Sequence, residues 1–147
     1  MAEFAFNPIQ LVEPNQNILL DTVIPCNKGY VFHRDQSGIV ILRGITNNCF
    51  ARYQVTFNGN IALPEDTTVI APISVALAID GEPVQTSRAI VTPAAVDEYF
   101  NVTSTAIITV PRGCCFTVAV ENSSAIVDGT APEINVQNAN MTVSRIA

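Results

Sequence analysis

The chain has no tryptophan, one histidine, and only 14% charged residues. The missing tryptophan rules against an immunoglobulin-type sandwich built on a Cys-Trp-Cys arrangement. A single histidine, His33, all but closes the metal chemistry that cupin-like jelly rolls run on histidine clusters. Positive charge is scarce: seven Lys and Arg residues, scattered from Lys28 to Arg145, stand against thirteen Asp and Glu, and the net charge is -6. No basic run marks a nucleic-acid surface, so nucleic acid is not expected as a partner. Long hydrophobic runs are also missing, and Met1-Ala-Glu-Phe-Ala-Phe-Asn-Pro8 lacks a basic n-region. Neither a secretory signal nor a membrane insertion is expected, and the product reads as one made in the cytoplasm. Cysteine is sparse and irregular: Cys26, Cys49, Cys114 and Cys115 contain no Cys-x-x-Cys pair. Adjacent Cys114 and Cys115 would point to opposite faces of a strand and cannot grip one metal together. Buried reduced thiols acting as small hydrophobes are the bland reading, and a Cys26 to Cys49 bridge is the alternative.

What remains is Val, Ile, Thr and Ala at 48% hydrophobic content, a composition that tilts toward strands in a single domain of 147 residues. The stretch from Val102 to Glu121 organises the rest. Val102, Ala106, Ile108 and Val110 share one face, Thr103, Thr105 and Thr109 the other, with Ile107 as the exception. Phe116, Val118 and Val120 repeat the alternation after Pro111-Arg112-Gly113, so the two arms read as a β-hairpin. Upstream, residues 17–24, 30–33 and 39–42 are strand candidates separated by the turns Asn27-Lys28-Gly29 and Asp35-Gln-Ser-Gly38. In Phe50–Phe57, Tyr53, Val55 and Phe57 lie opposite Arg52, Gln54 and Thr56, and Asn58-Gly59-Asn60 carries the Asn-Gly signal of a type I′ turn. Ile73, Val75, Leu77 and Ile79 line a strand that ends at the turn Asp80-Gly81-Glu82-Pro83, with residues 84–92 returning. Residues 93–100 read as a loop too short for a stable helix. Residues 134–137 and 140–146 close the chain as two strands. Residues 1–16, with Pro8 and Pro14, read as an extended N-terminal arm, and 17–147 as one all-β sandwich of about ten short antiparallel strands.

Catalytic signals are weak. His33-Arg34-Asp35 has the letters of a kinase catalytic loop but nothing else of a kinase, and a lone histidine at a strand end is usually structural. Asp80-Gly81-Glu82 and Asp97-Glu98 lack the oxygen count and spacing of a calcium loop and read as solvated carboxylates. Asn101-Val-Thr103, Asn122-Ser-Ser124 and Asn140-Met-Thr142 match the glycosylation sequon, as chance allows in an Asn- and Thr-rich chain. The aromatics Tyr30, Phe32, Tyr53, Phe57, Tyr99, Phe100 and Phe116 are large enough to organise either a core or a subunit contact, core being the default. No catalytic residue, cofactor or metal is expected, and the chain reads as no enzyme.

The succession Asn17-Ile-Leu-Leu-Asp-Thr22, Ser37-Gly-Ile-Val-Ile-Leu42, Ala51-Arg-Tyr-Gln-Val-Thr-Phe57, Ile107-Ile-Thr-Val-Pro-Arg-Gly113 and Ala139-Asn-Met-Thr-Val-Ser-Arg-Ile146 resembles the C1q/TNF-like jelly-roll family. The similarity runs over residues 15–147 and is nearest to small bacterial and phage members akin to the C-terminal domain of spore-surface collagen-like glycoproteins. It implies a jelly roll with first and last strands side by side, assembled as a homotrimer whose aromatic and aliphatic side chains meet on the threefold axis. Tyr53, Val55, Phe57, Phe116, Val118, Met141 and Val143 are the candidates for that contact. Unlike the spore proteins, the chain has no Gly-x-y stalk. The resemblance therefore leads to a virion component, of capsid-decoration or fibre type, that attaches to capsid or fibre proteins by Phe4, Phe6, Ile9 and Leu11 of the arm. The alternative is a carbohydrate- or receptor-binding head, on a phage fibre or at a bacterial cell or spore surface, with a host-surface glycan as its ligand.

Overall fold

The computed structural model describes residues 2–24, 29–127 and 129–147. Twelve strands form two antiparallel sheets: β1 (Ala2–Phe6), β2 (Gln10–Val12), β3 (Thr22–Ile24), β4 (Val31–His33), β5 (Val40–Arg43), β6 (Phe50–Ala62), β7 (Ile73–Ile79), β8 (Glu82–Pro83), β9 (Ala89–Val91), β10 (Phe100–Pro111), β11 (Cys115–Asn122) and β12 (Ile134–Arg145). One sheet runs β10-β6-β12-β1-β3, with β2 also on β12; the other runs β4-β5-β11-β7-β8, with β9 also on β7. The all-β expectation holds. First and last strands pair in register, Ala2 opposite Val143 and Phe6 opposite Ala139.

Period-two patterning places the core where the sequence put it. Along β6, Ala51, Tyr53, Val55, Phe57 and Ile61 turn inward, and Val102, Ile108 and Val110 of β10 do the same. From the second sheet Val40, Leu42, Ile73, Val75, Leu77, Val118 and Val120 meet them. Ile107 breaks the pattern as expected and is 63% exposed. The Asp80-Gly81 turn also forms as read. Both residues have positive φ, 51° and 86°, the requirement of a type I′ hairpin, and Ile79 pairs with Glu82 across it. Asp80 Oδ1 then accepts bonds from the Thr117 amide at 2.9 Å and hydroxyl at 3.0 Å, so its carboxylate is accounted for structurally.

Several local expectations change. Residues 102–121 are not a hairpin: β10 pairs with β6 in one sheet, and β11 pairs with β5 and β7 in the other. The Pro111-Arg112-Gly113 turn carries the chain from sheet to sheet, because each arm buries its apolar side against the other sheet rather than beside its sequence neighbour. Asn58-Gly59 is no turn. Neither residue has the positive φ such a turn needs, and β6 runs through them in continuous register with β10. The return after β8 is broken by a 3₁₀ turn at Gln85–Ser87, where the Ser87 hydroxyl donates to Val84 O at 2.6 Å and accepts from the Leu77 amide at 3.0 Å. Residues 134–145 form one strand rather than two, with a register shift between Gln137 and Asn140 and Asn138 at φ 54°. Residues 17–24 divide between the sheets. The Ile18 amide donates to Val120 O at 2.7 Å, whereas Thr22–Ile24 pair with β1.

The N-terminal arm is likewise not an arm in this structure. Residues 2–6 lie between β12 and β3 inside a sheet, and residues 10–12 lie on β12. Ala2, Phe4 and Val12 belong to the hydrophobic core. The alternation Ala-Glu-Phe-Ala-Phe gives β1 an inward face, and burying it outweighs what two prolines do to the segment.

Candidate functional site

The outer face of the β10-β6-β12 sheet is a plate of uncharged side chains, polar apart from the exposed Ile107. Asn101, Thr103, Thr105 and Thr109 of β10, Gln54, Thr56, Asn58 and Asn60 of β6, and Gln137, Asn140, Thr142 and Ser144 of β12 stand on it. Cross-strand bonds tie it together: Thr56 to Thr105 at 3.1 Å, Asn101 to Asn60 at 3.2 Å, and Thr103 to Asn58 at 3.2 Å. Arg52 at one end and Glu3 at the margin are its charges.

The seven candidates for a threefold contact fall elsewhere. Tyr53, Val55, Phe57, Val118, Met141 and Val143 are buried between the two sheets of a single chain, and Phe116 packs half-buried against the same core. Period two correctly told which side chains share a face, but that face is the chain's own interior. Phe4 is excluded as an attachment residue for the same reason: it is 2% exposed and stacks on His33 with ring centroids 5.2 Å apart. Phe6 is half-buried, while Ile9 and Leu11 stay open at 55% and 56%.

Histidine chemistry is occupied by structure. His33 Nε2 lies 2.8 Å from Ser37 O in the β4–β5 turn, and its Nδ1 is buried without a partner. Among the described residues no three His, Cys, Asp or Glu side chains converge as metal ligands. No helix there is long and apolar enough to cross a membrane. Cys49, Cys114 and Cys115 are free and exposed, not buried hydrophobes, because all three sit at the turn end of the sandwich; Cys26, and with it the Cys26 to Cys49 alternative, lies outside the described residues. Of the sequons, Asn122 is ruled out in the folded protein. Its amide is fully buried and donates to Val12 O at 3.1 Å and Pro132 O at 3.0 Å.

One feature of charge is invisible in linear order. Strand direction brings Arg43, Arg52, Arg112 and Arg145 to the same end of the sandwich. The Arg112 amide donates to Cys49 O at 2.9 Å, Arg52 exchanges backbone bonds with Ile146 and Ala147, and Arg43 pairs with Cys115. Arg52 lies over the Phe50 ring at 4.8 Å, and Arg145 over Tyr30 at 4.2 Å. Arg145 also flanks Tyr53, whose hydroxyl donates to Arg43 O at 2.5 Å; burial raises the Tyr53 pKa and Arg145 opposes the rise. Between these groups Asn47, Asn48, Cys49, Phe50, Arg112 and Ala147 line an open cavity of about 630 Å³. The opposite end gathers Glu13, Glu65, Asp66, Asp97, Glu98 and Glu133, next to the ends of β2 and β6 and the starts of β10 and β12. Arg43 and Arg112 each precede a glycine, but Arg52 lies within β6 and Arg145 ends β12, so the cluster emerges only once the strand directions are known.

Glu121 is a buried residue near the end of β11, with Ala76 opposite it on β7 and Asn17 bridging from the other side. Desolvation raises its pKa, and the negative charge of Glu82 adds to the rise. A pKa higher in the folded than in the unfolded chain gives stability that is complete below the ordinary carboxylate range and is lost as pH climbs through the folded value. Glu121→Gln should therefore raise Tm at pH 7. The gain should vanish near pH 4 in thermal scans followed by circular dichroism; a gain that persists there would assign it to packing.

No family model matches the chain, and no curated protein resembles it in sequence. Among solved structures its fold is similar to the globular domain of zebrafish complement 1qA protein, with a TM-score of 0.60 at 11% identity over 96% of this chain and 94% of that one. It is similar to the Eiger TNF of S. frugiperda, with a TM-score of 0.64 at 12% identity over 100% and 92%. Murine APRIL aligns with a TM-score of 0.51 at 12% identity over 92% and 98%. At such identities the likeness is one of fold. Two sheets of these strand orders, closed by pairing the first strand with the last, make this chain a jelly roll of the C1q/TNF type.

Proposed function

We propose that the protein is a non-enzymatic structural component that assembles as a homotrimer and serves in a virion, as a capsid decoration or fibre element. The single observation behind the assembly is the uncharged plate on β10, β6 and β12. Depletion of charge at the centre of a patch is the compositional mark of a protein interface, and here the patch is already cross-braced. Trimer contacts thus move from Tyr53, Phe57 and their neighbours to the polar side chains on the opposite face of the same strands. Attachment to capsid or fibre proteins falls to Ile9 and Leu11, the two named anchors that remain exposed.

Light scattering of the purified chain is expected to give three times the 15.8 kDa chain mass. Thr56→Glu together with Thr105→Glu, which puts like charges on the plate, should shift the mass toward one chain while leaving the circular dichroism spectrum in place. A wild-type chain that stays at 15.8 kDa would sink the trimer. For the virion role, the protein should co-sediment with purified particles and lose that association in Ile9→Asp, Leu11→Asp. A second reading, a head that binds a surface glycan, is favoured by the cavity at the arginine end.

A further inference from the structure

We propose that the cavity beside Phe50 and Arg112 binds an anionic saccharide, a sugar unit bearing a carboxylate or a sulfate ester. The chemistry is set by what surrounds it. Arg112 lines the cavity, and Arg52 lies on the Phe50 ring that forms part of its wall. A guanidinium presents paired N–H donors at the spacing of two carboxylate or sulfate oxygens. Asn47 and Asn48 add amides able to bond sugar hydroxyls, and the part of the Phe50 ring that Arg52 leaves uncovered offers an apolar wall for sugar C–H groups. At about 630 Å³ the space suits a saccharide unit rather than a bare inorganic ion.

The field of the molecule points the same way. Although the chain carries a net charge of -6, four of its seven basic residues, Arg43, Arg52, Arg112 and Arg145, stand at this end, and carboxylates gather at the other. An approaching anion is drawn to the arginine end in spite of the overall charge. Duplex nucleic acid fits less well, since it would bring long stretches of phosphate against a molecule that is acidic beyond this one end. The inference rests on the second reading above and not on the trimer, because one chain supplies the whole cavity.

The test is calorimetric titration of the full chain with polygalacturonate, dextran sulfate, neutral dextran, inorganic sulfate and duplex DNA. Each is run at about 50 mM and about 300 mM salt, where screening differs by more than twofold in length. Binding of polygalacturonate or dextran sulfate is expected, the one identifying a carboxylate and the other a sulfate ester. Affinity should fall about tenfold in Arg112→Gln and in Arg52→Gln, fall with salt, and be unchanged in Arg34→Gln, an exposed arginine of the β4–β5 turn. Light scattering and the melting curve of each variant check that it folds and keeps the wild-type mass, so loss of the trimer and loss of binding read separately. Absence of binding to both anionic polymers, equal binding of neutral dextran or inorganic sulfate, tighter binding of DNA, or indifference to both arginine substitutions would overturn the assignment.

Discussion

Replacing Gly38 by alanine is expected to lower the melting temperature by about 6–12 °C, the equivalent of about 3 kcal/mol in a chain of this length. The reason is steric and involves only backbone. A Cβ on Gly38 would stand 1.8 Å from the carbonyl oxygen of Ile18 and 3.0 Å from its carbonyl carbon. No side chain can swing aside, so either the turn at residues 35–38 or the extended segment at 17–20 must retreat. The second option is blocked from both sides. The Ile18 amide donates to Val120 O at 2.7 Å, while Gln10 holds Leu19 through both its amide groups, at 2.8 Å and 3.0 Å. Ile18 and Leu20 are moreover fully buried. Moving the turn strains the connection between β4 and β5 instead, and with it the His33 to Ser37 contact. A melting temperature within 2 °C of wild type, read by circular dichroism, would show that the two segments part at little cost.

Asn122→Ala should cost a comparable amount, about 3 kcal/mol. Its amide donates to Val12 O and Pro132 O, and its carbonyl accepts from the Ser124 amide at 3.1 Å and hydroxyl at 2.6 Å. One side chain therefore joins the end of β11 to β2 and to the approach to β12. Truncation takes a donor from Val12 O and Pro132 O and the acceptor from the Ser124 amide and hydroxyl, and at the buried members of the set each lost bond costs the desolvation of the group left behind. Asn122→Asp separates this account from simple loss of volume. It keeps the acceptor for Ser124 but faces two carbonyl oxygens with a carboxylate, so it should destabilise at least as much as alanine. An aspartate variant that melts near the wild-type temperature would refute the network.

What could be read from the sequence was periodicity, and what could not was partnership. The alternation in Ala51–Phe57 and in Val102–Val110 gave the inward faces of β6 and β10 correctly, including the exposed Ile107. Yet the same alternation is satisfied whether an apolar face meets the facing sheet or another subunit, and so it does not separate Tyr53, Val55 and Phe57 as core from the same residues as interface. Turn chemistry was similarly one-sided. Asp80-Gly81 and Asn58-Gly59 carry equivalent signals, but only the first is flanked by strands that can fold back on each other. In the second, pairing along all of β10 holds the strand straight. Pro111-Arg112-Gly113 marks a reversal without saying whether the chain re-enters the same sheet. The arginine end was hidden for a related reason. Its residues are spread over a hundred positions and meet only once the direction of each strand is fixed.

The pairing of β1 with β12 sets a condition on how this protein is made. Phe4 and its neighbours leave the ribosome long before residues 134–145, with which they form their longer ladder. Until then β12 is missing from between β1 and β6, and β1, with β3 on its other side, keeps one edge bare. Residues 134–145 must be made before this sheet can be completed, so products truncated ahead of them are the species most prone to aggregate, and a fusion that delays release of β12 would favour inclusion bodies over native protein.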